Sequence, residues 1–391
     1  MTFKNQRIGF ALLGALLALT SCRDLGLDPV FYTLSKEQPL GDNRGFPDAA
    51  SVFKMVKISI TTPAGDYYVA AAGTLYIRGT GPSDTWTVVD PPTGLANAMC
   101  NTLEVFGTQI YAGFYNSSNG TGYGLYTASL AALPLSWGAP VVAMQDTEIT
   151  LLKTVGTQLF VATNANGSNE NALYYSADGT AFTAVNWGGS PPSADIGFID
   201  VAQATSGLSY WILVGAYLYQ STALAGPFAV YSGGADPRPV SPLSGLPASG
   251  GLVDDGTALY VSAGGGYLYR TADGGINWTK SSIIRDDKDN PVHFTSFVSF
   301  VAPITSDTGA VYVGTQGQGY HRIPGGDVTG ATGTLTREPT SYSITALYDG
   351  AINFFFYDGA VSPANLFLCT NRSGLWRGDY ASGSTWTWKQ E

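Results

Sequence analysis

Few side chains in this sequence are equipped for chemistry, and they are thinly spread. His293 and His321 are the only histidines. His293 follows Asp286, Asp287 and Asp289 closely, so a general base with acidic neighbours is conceivable there. The same stretch, Arg285-Asp286-Asp287-Lys288-Asp289-Asn290, offers three carboxylates to a hard cation such as calcium. It lacks EF-hand spacing, and its two basic residues offset the charge. A solvated polar loop ahead of a strand is therefore the favoured reading, with calcium the alternative. Cys22 is a thiol at the end of an apolar run. Cys100 and Cys369 lie in strand-like segments of repeats that should not be adjacent, and are expected as two buried free thiols rather than a disulfide. No cysteine or histidine sits at zinc-ligand spacing, and no phosphate-binding Gly-rich loop or Gly-x-Ser-x-Gly elbow occurs. The expectation is no catalytic residue, no resident metal and no organic cofactor.

The elements that must carry these residues begin with an N-terminal signal. Lys4 and Arg7 precede twelve apolar residues, Ile8 to Leu19. That run is too short to cross a bilayer as a helix and suits the core of a signal peptide. Leu19-Thr20-Ser21-Cys22 follows at once and resembles the bacterial lipobox. The resemblance implies cleavage before Cys22, diacylglycerol on its thiol, and a lipoprotein of the bacterial cell envelope. An ordinary secretory signal with a chance cysteine is the alternative. Residues 1–21 are thus read as signal peptide, 22–50 as lipidated tether and 51–391 as a single domain. Arg23, where enteric inner-membrane lipoproteins carry Asp, tilts the expected location to the outer membrane.

Charged residues are 12% and aromatics 13% of the chain, with 49 glycines. Such a Tyr-, Thr-, Val-, Gly- and Trp-rich mixture belongs to an all-β protein with many turns. The formal net charge of −10 argues against nucleic acid as a partner.

A unit repeats along the chain: a β-rich run, a short loop, a second run, a turn, then Trp or Phe in a third run. Its copies are Tyr67–Ala71, Thr74–Arg78 and Trp86; Ile110–Phe114, Gly124–Ala128 and Trp137; Leu159–Thr163, Ala172–Ser176 and Phe182; Tyr210–Val214, Tyr217–Ser221 and Phe228; Leu259–Ala263, Tyr267–Thr271 and Trp278; Val311–Thr315 and Gly319–Ile323, with a degraded third run near Leu335; and Leu366–Thr370, Gly374–Gly378 and Trp386. An aromatic marks the first run at Tyr68, Tyr111, Phe160, Trp211, Tyr260, Tyr312 and Phe367, spaced 43 to 55 residues apart. A further apolar stretch precedes the copies, as at Met55–Ile60, making four strands per unit. Units of this length predict a β-propeller with seven four-stranded blades. Six or eight stay open, because Ser341 to Asn365 has room for one long hairpin or extra strands.

The fifth copy reads LYRTADGGINW from Leu268 to Trp278. Thr271, Asp273, Gly275 and Trp278 in it resemble the Asp-box, or bacterial neuraminidase repeat, and Ser176, Asp178, Gly179 and Phe182 form a shorter copy. The resemblance implies a structural turn between third and fourth strands, in which the carboxylate accepts backbone N–H bonds and glycines take positive φ. It does not imply sialidase chemistry. His321-Arg322-Ile323-Pro324 is close to a sialidase motif but has His for the aromatic and lies late in the chain. Arg270, Arg322 and Arg377 hold equivalent repeat positions, so they are expected to spread around the ring and bridge blades instead of converging on one carboxylate.

In a propeller, loops joining strands two and three and loops joining successive blades share one face. Here these are the long loops, carrying Tyr115, Asn116, Tyr123, Asn164 and Asn169, with Asp286, Asp287 and Asp289. Amides and aromatic rings together suit a sugar or a peptide, although Asn is also simply a turn former. The expected function is a non-enzymatic envelope scaffold binding a protein or glycan; the alternative is a sialidase-like propeller that binds or hydrolyses glycans. Lipid-anchored propellers of outer-membrane barrel assembly and photosystem assembly offer an analogy of fold.

Overall fold

The structure, a computed structural model, describes residues 44–165, 171–189, 199–204, 209–214, 217–232, 251–254, 256–263, 267–282, 294–299, 311–323, 328, 336–338, 347, 350–382 and 385–391. Cys22, Asn169, Asp286, Asp287, Asp289 and His293 lie outside these residues. Antiparallel sheets form in chain order, six of four strands and one of three. Their first strands, Lys54–Thr61, Ala98–Phe106, Thr147–Val155, Ile199–Ala204, Leu252–Asp254, Phe294–Ser299 and Ile352–Asp358, lie side by side in that order. The last of them returns to the first. The all-β propeller expected from the repeat is therefore the fold. Blade two departs from the four-strand unit. Its fourth strand is reduced to one bridge between Ala128 and Trp137. The degraded third run of blade six still forms a short strand, Thr336–Glu338, paired with Tyr320–Ile323.

The packing follows from the two-residue period of a strand, which sends neighbouring side chains to opposite faces. In blade three, Leu159 and Val161 join blade two's Tyr111 and Leu125, while Phe160 and Ala162 join blade four's Ile212 and Val214. Both faces are buried, so the second strands read as continuous apolar runs. The two aromatic positions of the repeat explain each other. The marker on the second strand faces the following blade, and the aromatic of the third run faces back. They meet in the seam: Trp211 lies 5.7 Å from Trp278, edge to face, and Trp386 Nε1 donates to Tyr312 Oη at 3.0 Å.

Tyr68 breaks this order. It packs with Phe367 and Cys369 of blade seven, while Val69 and Ala71 face blade two beside Tyr67. The equivalent marker in blade one is thus Tyr67. A one-residue phase difference sends a whole strand face the other way. Arg78, opposite Tyr68 in the ladder, therefore faces blade seven, while Arg377, opposite Phe367, faces blade one. The two meet at Glu391, which is 1% exposed: Arg78 Nε lies 2.9 Å from Oε2 and Arg377 Nη1 3.1 Å from Oε1. Arg78 is not one of the equivalent set Arg270, Arg322 and Arg377: it stands opposite Tyr68, one residue out of phase, and meets Arg377 here. The two converge on one carboxylate, the protein's own, and bridge the first and last blades.

The same seam holds residues 44–50, assigned from sequence to the tether. Phe46 is buried against Tyr76 and Trp86, and Gly374 N donates to Ala50 O at 3.0 Å. Further bonds close the ring: Val52 N to Thr370 O at 2.9 Å, Tyr68 Oη to Asp358 at 2.7 Å, and Lys57 to Asp358 at 3.0 Å. Cys100 and Cys369 are free and buried, in blades two and seven. Replacing Arg78 by Met leaves Glu391 under-compensated in an apolar seam, and stability is expected to fall by about 3–5 kcal/mol in chemical denaturation. A loss under about 1 kcal/mol would show that the ion cluster does not hold the ring closed.

Candidate functional site

On the loop face, the turn between the second and third strands of blade two is built by its own side chains. Asn116 Nδ2 donates to Tyr123 Oη at 2.9 Å, and Tyr123 Oη donates to Ala96 O at 2.6 Å. Asn116 Oδ1 accepts from Ser118 N, and Asn119 Oδ1 from Thr121 N, at 2.8 and 2.9 Å. Tyr115 is half-buried, its hydroxyl 3.9 Å from Met99 Sδ. Asn164 Nδ2 reaches Glu148 at 3.4 Å. Gly122 sits hard against Thr147 and Glu148, where a Cβ would meet backbone at 2.1 Å. The structure thus brings Tyr115, Asn116 and Tyr123 together and sets them beside the blade-three edge that carries Asn164. Asn116 and Tyr123 stiffen the loop, and the surface they present is fixed before any partner arrives.

On the opposite face lie the turns between third and fourth strands. Asp273 accepts from Asn277 N at 2.9 Å, from Asn277 Nδ2 at 2.7 Å and from Thr271 Oγ1 at 2.9 Å. Thr271 Oγ1 in turn accepts from Gly275 N at 2.9 Å, and Trp278 Nε1 donates to Gly275 O at 3.0 Å and Tyr231 Oη at 2.8 Å. The Ser176 turn has the same form, with Asp178 accepting from Thr180 N and Ala181 N at 2.8 and 2.9 Å. Each turn docks on the marker ring of the preceding blade. Tyr111 Oη donates to Gly179 O at 3.1 Å, and the Gly275 backbone lies over Trp211. These residues hold seams together.

The inner strands carry charges that sequence reading passed over. Lys54 bonds Glu104 of blade two and the Leu152 carbonyl of blade three. Lys153 bonds Asp200 of blade four and the Leu252 carbonyl of blade five. A lysine can touch three consecutive blades only beside the ring axis. Asp200 also accepts from Leu252 N at 2.7 Å and Val201 N at 2.8 Å. These carboxylates are committed to lysines of the preceding blade. The one sequence clue was the presence of Lys in strands of a Lys-poor chain.

A cavity of about 610 Å³ opens where blade one's outer strands approach Leu133, lined by Asp66, Tyr67, Arg78, Ser83 and Asp84 among others. Asp84 folds back over Gly79 and Gly81, accepting from Gly81 N at 2.9 Å. A Cβ on either glycine would meet its Oδ2, at 2.1 and 2.7 Å, so a larger residue there would displace the Asp84 side chain. Asp66 is held below the usual carboxylate range by bonds from Ser59 and Lys57 that outweigh its burial. Burial pushes the Arg78 guanidinium down to about 10, opposed by Glu391 and reinforced by Arg44 and Arg377.

Comparison with solved structures agrees with this geometry. A structure described as YCF48 bound to D1 peptide is similar at 15% identity over 90% of this chain and 98% of that chain, with a TM-score of 0.55. YCF48 from Cyanidioschyzon merolae gives 13% identity, 86% and 98% coverage, and a TM-score of 0.52. The WD40 β-propeller domain of Doa1 gives 8%, 87%, 94% and 0.50. The fold is a β-propeller. At such identities the likeness concerns the fold alone. No protein-family model and no curated protein matches the chain.

Two outcomes test the role given to the turns. Gly179→Ala places a Cβ 1.9 Å from Tyr111 Oη at a φ of +75°, and is expected to destabilise by roughly 1–3 kcal/mol. Asp178 is held well below its ordinary value, chiefly by the Ala181 and Thr180 amides; in Asp273, bonds from Asn277 and Thr271 outweigh burial in the same direction. Their contribution is fully present above the unfolded value of about 3.9 and is lost as pH falls through the folded one. An Asp178→Asn, Asp273→Asn protein should therefore lose less stability than the parent between about pH 5 and pH 2. Parallel acid profiles would remove the turns from the account.

Proposed function

We propose that this protein is a lipid-anchored envelope scaffold whose loop face binds a protein partner. The observation that carries the reading is the match, over 90% of this chain and 98% of that one, to a propeller described as bound to a peptide. Two local features support it. The blade-two loop is pre-stiffened by Asn116 and Tyr123, which lowers the ordering cost of binding. Glu104 and Asp200 on the inner strands are engaged with lysines, a wall suited to rigidity. The anchor rests on the lipobox-like Leu19-Thr20-Ser21-Cys22, and the Thr271 and Ser176 turns are read as Asp-box turns in structural service.

A second reading has its own observation. The cavity beside Tyr67, with carboxylates, hydroxyls and one aromatic ring, suits a polyhydroxylated ligand, and a glycan is the partner it would favour.

Affinity capture from solubilised envelopes, with the full chain as bait, separates these readings. The protein reading expects a reproducible protein partner that is lost when residues 117–121 are replaced by Gly and Ser. Binding on a glycan array, or turnover of a fluorogenic sialoside, with no such partner would replace it with the glycan reading. For the anchor, Cys22→Ala is expected to leave the membrane fraction; a variant that still partitions with membranes overturns the lipid assignment.

A further inference from the structure

The Glu391 cluster has the composition of a ligand site. Its carboxylate receives the guanidinium of Arg78 at 2.9 Å, that of Arg377 at 3.1 Å and the indole N–H of Trp86 at 3.0 Å. Arg78 is buried on all sides. Rings of Tyr68, Trp86 and Phe367 surround its guanidinium at 5.0, 5.3 and 5.9 Å. Planar guanidinium, two-pronged carboxylate and an apolar enclosure are the elements of strong carboxylate recognition. Donor capacity is also left over. Arg78 Nη2 and Arg44 Nη1 are buried and have no acceptor among the described residues. Arg44 is placed there by its own carbonyl, which accepts from Trp86 N at 2.9 Å.

The site lies beside the cavity. Arg78 Nη1 donates to Gly79 O at 3.0 Å and Gly81 O at 3.4 Å, and these residues form the wall of the cavity of about 610 Å³. The backbone that walls the cavity therefore also holds the guanidinium that meets Glu391.

We propose that Arg78, Arg377 and the Trp86 indole form a carboxylate-binding site that Glu391 occupies in cis, and that a small free carboxylate takes the site when that side chain is removed. The site is distinct from the loop face and stands whether or not that face binds a protein. Because Glu391 follows the last strand of blade seven and Arg78 belongs to blade one, occupancy and ring closure are a single equilibrium. In the parent Glu391 fills the site at high effective concentration, and a free carboxylate that substitutes for a missing Glu391 side chain restores the seam.

Chemical rescue tests this. Thermal unfolding of the detergent-solubilised full chain and of Glu391→Ala is followed in sodium acetate and in sodium chloride at matched ionic strength. Glu391→Ala is expected to melt lower than the parent in chloride. Acetate should return at least half of the lost Tm, saturably, and leave the parent unchanged. Arg78→Lys added to Glu391→Ala should abolish the acetate response, because an ammonium cannot reproduce the planar fork. An equal response to chloride, an equal response in the parent, or rescue that survives Arg78→Lys overturns the proposal. Should Glu391→Ala not fold in chloride, the yield of folded protein refolded in acetate against chloride is the readout, and equal yields count against the site.

Discussion

The ring closes at one seam, on two buried carboxylates, Glu391 and Asp358. Every other seam joins blades that are consecutive in the chain, so a covalent loop limits how far they separate. Blades seven and one have no such link, and their contact must meet the closure entropy by itself. The other seams combine aromatic packing with bonds such as Lys54 to Glu104 and Lys153 to Asp200. Here the seam adds Glu391 between Arg78 and Arg377, inside the cage of Tyr68, Trp86 and Phe367. A buried ion cluster adds little over a well-packed apolar seam while intact, but losing one member is severe. It therefore acts more as a specification of register than as a source of net stability.

That register is the part of the fold which was least legible in the sequence. The repeat was readable because most seams pair two aromatics, one facing forward and one back, and large rings recur visibly at Trp211 and Trp278 or Tyr312 and Trp386. In blade one two tyrosines stand side by side. Residue type cannot say which of Tyr67 and Tyr68 faces forward; only the pairing of the strand with its neighbours decides it. The choice of Tyr68 hid the fact that Arg78 faces blade seven, and with it the convergence on Glu391. Blade two failed differently. Trp137 kept the aromatic that seals its seam, packing on Phe114 at 5.2 Å, while the strand around it was lost. An aromatic marker reports a packing requirement, and a packing requirement can be met without a ladder of hydrogen bonds.

The candidate site divides along the same line. The turns at Asp178 and Asp273 were readable because their partners lie within four residues. The bonds of Lys54 and Lys153 were not, because they join blades 47 to 99 residues apart in sequence. Local chemistry survives in a sequence pattern; contacts across a ring do not. The Asn and Tyr residues of the loop face fall between these cases. Their place on the face was readable from topology, but their engagement with one another required coordinates.

The same geometry bears on how an anchor would act. Residues 44–50 do not hang free of the ring. They lie in the seam between blades seven and one, with Phe46 against Trp86 and Asp48 O accepting from Gln390. A tether of the kind proposed would join the ring at residue 44, in the contact that contains Glu391. Residues 44–50 and ring closure share Trp86, which touches both Phe46 and the Glu391 carboxylate. Pull on the tether would be felt first at the one seam that no covalent loop supports.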